Sequence, residues 1–113
     1  MHELSLATAM IDELKTIMQK ENAQRICSVT VEIGALSGVE AEPMAFAFPF
    51  ASEGTCADGA ELIIEKRALT LRCKACGHES TPDEPFPICL DCGSTDVDIL
   101  SGRDFMILRV EVE

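Results

Sequence analysis

Basic charge is scarce in this chain. Nine Lys and Arg stand against twenty Asp and Glu, for a formal net charge of −11. A polyanion would be repelled, and no basic stripe is present to track phosphates, so nucleic acid is excluded as a partner. Long apolar runs are missing too: none approaches the roughly 20 residues that span a bilayer, so no membrane insertion is expected. The N-terminus has no basic segment leading into an apolar one, so no secretory leader is expected and the cytoplasm is the expected compartment. There is no P-loop, no Gly-rich dinucleotide loop and no Ser/His/Asp set, which points away from an enzyme. Low-complexity segments are absent, and nothing repeats internally except one short cysteine turn.

That turn is the strongest chemical signal. Cys73-Lys-Ala-Cys76-Gly77 is answered after twelve residues by Cys89-Leu-Asp-Cys92-Gly93. A C-x-x-C turn aims both sulfurs at one point, and the following glycine is free to take positive φ. The backbone N–H groups of the turn can then point at the thiolates. Four thiolates favour zinc as a closed structural ion with no position open to substrate. An iron–sulfur or rubredoxin-like iron centre is the rival metal, and a redox C-x-x-C is disfavoured by two pairs at ribbon spacing. Within residues 73–92, Lys74 is the only Lys or Arg against Glu79, Asp83, Glu84 and Asp91, so this ribbon is not a phosphate reader. Cys27 and Cys56 fall outside the pairs and read as small buried hydrophobes in a reducing compartment.

A length of 113 residues and 47% hydrophobic content suit one domain with a real core, carrying a smaller module. Leu4, Ala7, Ile11, Leu14 and Met18 step by three and four, predicting an amphipathic helix over about 4–20. Val29, Val31 and Ile33 alternate with Ser28, Thr30 and Glu32, a half-buried strand over 26–33. Gly34 and Gly38 bracket a loop, and Pro43 suits the first turn of a second helix. Met44, Ala47, Phe48 and Ala51 give that helix its stripe, while Pro49 is expected to kink or shorten it. Phe46, Phe48 and Phe50 are read together as core. Asp58-Gly59 turns into a strand at 61–65 that continues, with a break, through Leu71. Pro82, Pro85 and Pro87 argue against helix between the cysteine pairs. Strands follow at 97–100 and 105–112, with Met106, Leu108, Val110 and Val112 on one face and Phe105, Ile107, Arg109 and Glu111 on the other. A final strand this regular is expected to rejoin the first sheet. The fold class is therefore α+β: a small mixed β-sheet with two helices over residues 1–70 plus 96–113, and an inserted four-cysteine zinc ribbon over 71–95.

The first three residues, Met1-His2-Glu3, form a second candidate metal site. A free Met1 α-amine, the His2 amide nitrogen and the His2 imidazole make adjacent chelate rings in one plane. Nitrogen-rich square-planar coordination suits Ni(II) or Cu(II) and not tetrahedral zinc. Amine and imidazole must both be deprotonated, so binding is expected to weaken on acidification. His78, beside Cys76-Gly77, reads as a solvated or supporting residue of the cysteine turn.

Several segments carry a resemblance: Met-His-Glu-Leu-Ser at the start, Val-Glu-Ile-Gly-Ala-Leu-Ser-Gly-Val at 31–39, Ser-Glu-Gly-Thr at 52–55, Gly-Ala-Glu-Leu at 59–62, and the two C-x-x-C-G pairs. In this order, over essentially the whole length, they resemble the HypA/HybF family of hydrogenase nickel-incorporation proteins. The resemblance implies a nickel metallochaperone whose nickel site maps onto Met1 (α-amine), His2 and Glu3, and whose structural zinc site maps onto Cys73, Cys76, Cys89 and Cys92. It implies Ni(2+) as cargo, Zn(2+) as structural ion, and delivery for assembly of the [NiFe]-hydrogenase active site. The implied partners are a HypB-type maturation GTPase, the [NiFe]-hydrogenase large subunit and urease accessory proteins. The alternative is a zinc-ribbon adaptor that bridges proteins without a nickel role.

Overall fold

The computed structural model describes residues 2–113, the side chain of His2 excepted. The elements in order are α1 (His2–Glu21), β1 (Ile26–Gly34), α2 (Ala41–Ser52), β2 (Glu61–Arg67), β3 (Thr70–Cys73), β4 (Glu79–Ser80), β5 (Val97–Ser101) and β6 (Phe105–Val112). The expected α+β class is the one found. In α1 the helical stripe Ala7, Met10, Ile11, Leu14 and Met18 is buried. The helix stops where Asn22 takes a φ of 52°, a left-handed conformation that Asn tolerates.

The first sheet has the order β2-β1-β6, with β2 parallel and β6 antiparallel to β1. A parallel neighbour requires a crossover, and α2 supplies it. Val29, Val31 and Ile33 share one core with the buried faces of α1 and α2. On the other face Thr30 sits in register between Ile63 and Arg109 and is only 3% exposed, although that face carries no helix. Ion pairs cross that face, Arg67 to Glu32 at 3.0 Å and Arg109 to Glu65 at 2.7 Å. Such partly exposed pairs contribute at most about 1 kcal/mol each, so the packed face dominates stability.

The structure corrects four sequence expectations. Strict alternation along β6 fails because Thr30 pairs with Arg109 while Val31 pairs with Ile107, leaving Leu108 as the extra residue of a bulge. A one-residue slip reverses the faces, so Phe105, Ile107 and Val110 pack on the core while Met106 is exposed. A matching irregularity skips Cys27 on β1. Pro49 does not shorten α2, which runs on to Ser52. The carbonyl deprived of a partner is that of Ala45; both Ala45 and Pro49 are exposed, so water can satisfy it. Of the three phenylalanines taken as core, only Phe48 is buried. Phe46 and Phe50 lie four residues apart on the outer face, their ring centroids 5.3 Å apart. Leu4, assigned to the buried stripe of α1, is exposed beside them.

The predicted break after β2 is real, and it separates two sheets. β3 heads a second sheet, β4-β3-β5, so residues 68–104 leave the first sheet after β2 and return to it as β6. The expected return of the C-terminal strand is what β6 makes. β5 lies past residue 95, yet it pairs with β3. The molecule is correspondingly long, 52 × 27 × 17 Å. The sheets meet where backbones touch: a Cβ on Gly34 would lie 2.4 Å from the Gly102 carbonyl oxygen, and one on Gly102 2.6 Å from that of Ala68. Leu36 N–H donates to the Gly102 carbonyl at 2.7 Å and Gly34 N–H to that of Asp104 at 2.9 Å.

Candidate metal centre

Two turns of identical construction carry the four cysteines. Cys73 N–H donates to the His78 carbonyl and Cys89 N–H to that of Ser94, each at 2.9 Å. Gly77 N–H returns to the Cys73 carbonyl at 2.9 Å and Gly93 N–H to the Cys89 carbonyl at 3.0 Å. Closing each turn this tightly needs a left-handed residue, and Gly77 and Gly93 have φ of 77° and 75°. The N–H of the second cysteine in each turn then points at the first sulfur: Cys76 N–H to Cys73 Sγ at 3.4 Å and Cys92 N–H to Cys89 Sγ at 3.5 Å. β3 delivers Cys73 at its end, and the proline-stiffened segment 82–88 delivers Cys89 without a helix.

The turns face each other. Cys73 Sγ lies 3.6 Å from Cys92 Sγ, Cys76 Sγ lies 3.6 Å from Cys89 Sγ, and all four sulfurs lie within 4.8 Å of one another. A tetrahedral ion with Zn–S bonds of about 2.3 Å places its sulfurs about 3.8 Å apart, so this donor set fits such an ion. No sulfur pair is joined in a disulfide. Cys73 and Cys89 are buried, while Cys76 and Cys92 are exposed.

Protons divide unevenly among the thiols. The Cys76 N–H lowers the Cys73 thiol to about 7, and the Cys92 N–H lowers that of Cys89. Cys76 receives the His78 N–H, which lowers it, but desolvation and the neighbouring sulfurs push it up to about 12. At Cys92 the Ser94 N–H also lowers the thiol, and this is outweighed by Cys73, desolvation and Cys89, so it is raised. Four sulfurs this close cannot all be anionic without a cation among them; a dication supplies that charge and makes all four thiolates compatible.

His78 spans the two turns, its Nδ1 lying 3.7 Å from Asp91 Oδ2, and it is half exposed. Its side chain lies outside the sulfur cluster. Cys27 and Cys56 take no part in the cluster; Cys56 packs against the main core and the Cys27 thiol lies 3.8 Å from Glu113 Oε2. For the other candidate site, Met1 and the His2 side chain lie outside the described residues. The helix already includes His2, and Glu3 is a half-buried acid of its first turn. First-turn N–H groups have no intrahelical carbonyl to bond. Sequence reasoning missed the exposed Phe46–Phe50 pair; its signal was the i, i+4 spacing on the side opposite Met44, Ala47 and Phe48.

Among the described residues no helix is long and apolar enough to cross a membrane. The family model described as "Hydrogenase/urease nickel incorporation, metallochaperone, hypA" matches residues 1–112. The chain is 39% identical over 113 residues to the hydrogenase maturation factor HypA of Chlorobium limicola, covering all of this chain and 97% of that one. It is 38% identical to the HypA of Aquifex aeolicus, covering all of this chain and 98% of the other. Among solved structures, it is similar to the Ni metallochaperone HypA of Helicobacter pylori, with a TM-score of 0.68 and 27% identity over 97% of this chain and 96% of that one. A second HypA solution structure gives a TM-score of 0.72 and 29% identity over all of this chain and 97% of the other.

Proposed function

Because the chain belongs to the HypA family of hydrogenase/urease nickel-incorporation metallochaperones, we propose that it carries Ni(II) at its N-terminus and hands it on for assembly of the [NiFe]-hydrogenase active site. Met1 α-amine, His2 and Glu3 bind the cargo, and Cys73, Cys76, Cys89 and Cys92 hold a separate structural Zn(II). The observation that carries this reading is the chemical mismatch between the two donor sets. The cysteine cluster is soft, tetrahedral and closed, which suits a resident ion, whereas nickel in transit calls for nitrogen donors in a plane that an acceptor can approach.

The helix start contributes to this site. The His2 amide is one of the first-turn N–H groups without a carbonyl partner, so a metal that displaces its proton breaks no helical hydrogen bond. The positive end of the helix dipole opposes a bound cation. The negative charge of the deprotonated amide and of Glu3 offsets that opposition. Transfer is ligand exchange with no covalent bond made in substrate, so the protein is not an enzyme. It works in the cytoplasm, in two units: a nickel-binding α/β unit built on the β2-β1-β6 sheet, and a zinc-ribbon unit, residues 68–104, inserted between β2 and β6 and wider at both ends than the 71–95 expected from sequence. Its partners are a HypB-type GTPase, the hydrogenase large subunit and urease accessory proteins.

The test is metal content and nickel titration on tag-free protein with a free Met1 amine. One tightly held zinc and one nickel, the nickel lost in His2→Ala or on acetylation of the amine, is the expected result. Zinc with no specific nickel binding would overturn the nickel reading and leave a zinc-ribbon adaptor.

A further inference from the structure

We infer that the outer face of α2, carrying Phe46 and Phe50 with Leu4 of α1 beside them, is a docking surface for a short amphipathic segment of another protein, apolar on one side and flanked by Lys or Arg. This goes beyond the nickel reading and stands on its own observations.

The core does not use these side chains. Met44, Ala47 and Phe48 already give α2 its buried stripe, while Phe46 is 71% exposed, Phe50 63% and Leu4 40%. The two rings lie against each other at 5.3 Å and 51°, and with Leu4 and Ala47 they line one shallow, wholly apolar depression. A continuous aromatic patch on the surface of a small chain marks an interaction site rather than a folding requirement.

Size and charge identify the occupant. Two exposed rings and part of a leucine offer on the order of 300 Å², well below the roughly 800 Å² per partner of a stable protein pair. A second whole copy of this chain is therefore not held by this face alone; a single helix or short strand is. The charges nearest in sequence are acidic, with Lys66 lying beside Glu40 and Glu42 in space. No Lys or Arg occurs from residue 2 to 14 or from 26 to 65, whereas Glu3, Glu40, Glu42 and Glu53 flank the patch in sequence at the starts of both helices and the end of α2. An apolar anchor with basic flanks matches that frame, and an acidic segment is repelled by it. Leu4 follows Glu3 directly, so a docked segment lies against the first turn of α1.

The experiment uses the full-length, zinc-loaded, 15N-labelled protein and two model helices that share a leucine stripe, one with a lysine polar face and one with glutamate. The lysine helix is expected to shift the amides of Leu4, Phe46, Ala47 and Phe50. Its affinity should drop at least about tenfold in Phe46→Ser/Phe50→Ser, a variant that leaves the net charge of −11 untouched. The milder Phe50→Ala serves if the double variant loses its native spectrum. Equal binding to wild type and variant would mean charge alone attracts the probe and would overturn the assignment. So would equal binding of the glutamate helix, or no binding of either up to millimolar concentration.

Discussion

Substituting Gly34 by alanine tests how the two sheets are joined. The new Cβ would sit 2.4 Å from the Gly102 carbonyl oxygen, 2.5 Å from its carbon and 2.9 Å from the Asp104 oxygen. All three are backbone atoms, so no side chain can swing away, and relief requires moving the 102–104 segment by about 1 Å to reach ordinary contact of about 3.5 Å. That movement strains the Gly34–Asp104 and Leu36–Gly102 hydrogen bonds, each contributing about 1 kcal/mol. Overpacking adds about 1–3 kcal/mol. The expected cost of Gly34→Ala is thus about 3–5 kcal/mol, a large part of a stability of about 5–15 kcal/mol. Gly38→Ala is the control: Gly38 has a φ of 80° but nothing within 4 Å of its Cβ position, so only backbone strain of about 1–2 kcal/mol remains. Urea denaturation of the zinc-loaded proteins, followed by far-UV circular dichroism, measures both. A Gly34→Ala protein no less stable than Gly38→Ala would refute the backbone-on-backbone junction.

Three further perturbations follow from the packing and the sulfur cluster. Phe48→Ala should lose about 3–5 kcal/mol, whereas Phe46→Ala should lose at most about 1 kcal/mol, mainly the ring pair with Phe50; similar losses in thermal melts of the two would contradict the burial of Phe48 alone. Cys73→Ser should release the zinc and unfold the ribbon while the β2-β1-β6 sheet persists, read by metal analysis and by amide protection of β1; a zinc-loaded, fully folded variant would contradict the ligand set. Zinc affinity should rise with pH. Cys76 is pushed up to about 12 and Cys92 is raised as well, so at pH 8 binding displaces at least about two protons and log affinity climbs about two or more per pH unit. A slope near zero in competition titrations would show that the ion does not displace those protons.

The elements were readable where local pattern and tertiary role agree. α1 announces itself because one face packs and the other does not. β1 is legible as a strand from its alternation, but both its faces are covered, Ser28 and Thr30 being buried as well as Val29, Val31 and Ile33, so it is not the half-buried strand expected. The cysteine turns were readable because covalent geometry ties ligand spacing to turn shape: Gly77 and Gly93 have the left-handed φ their position suggested. The failures lie where another segment decides the outcome. Leu108 is apolar whichever way it points, so the bulge that reverses β6 exists only in its pairing with β1. Phe46 and Phe50 are as hydrophobic as Phe48, and only the direction from which α2 meets the core separates them. The hydrogen bond that Pro49 lacks is visible in sequence; the exposure that lets water reach the carbonyl left over is not. The meeting of Gly34 with Gly102 depends on a contact between residues far apart in the chain, which local sequence does not report.

The place of residues 68–104 in the topology has an energetic consequence. Their two ends are fixed in β2 and β6, which flank β1 and are therefore held about 10 Å apart by two strand spacings. Bringing the ends of a free chain of that length together costs roughly 3 kcal/mol of entropy, and the first sheet meets that cost before any thiolate finds an ion. The four cysteines are thus pre-concentrated, and an ion too weakly bound to fold a detached ribbon can still close the tethered one. The coupling is reciprocal: the sheet gathers the cysteines, and a bound ion favours the sheet by the same free energy, while an empty cluster slackens a loop whose two ends remain clamped.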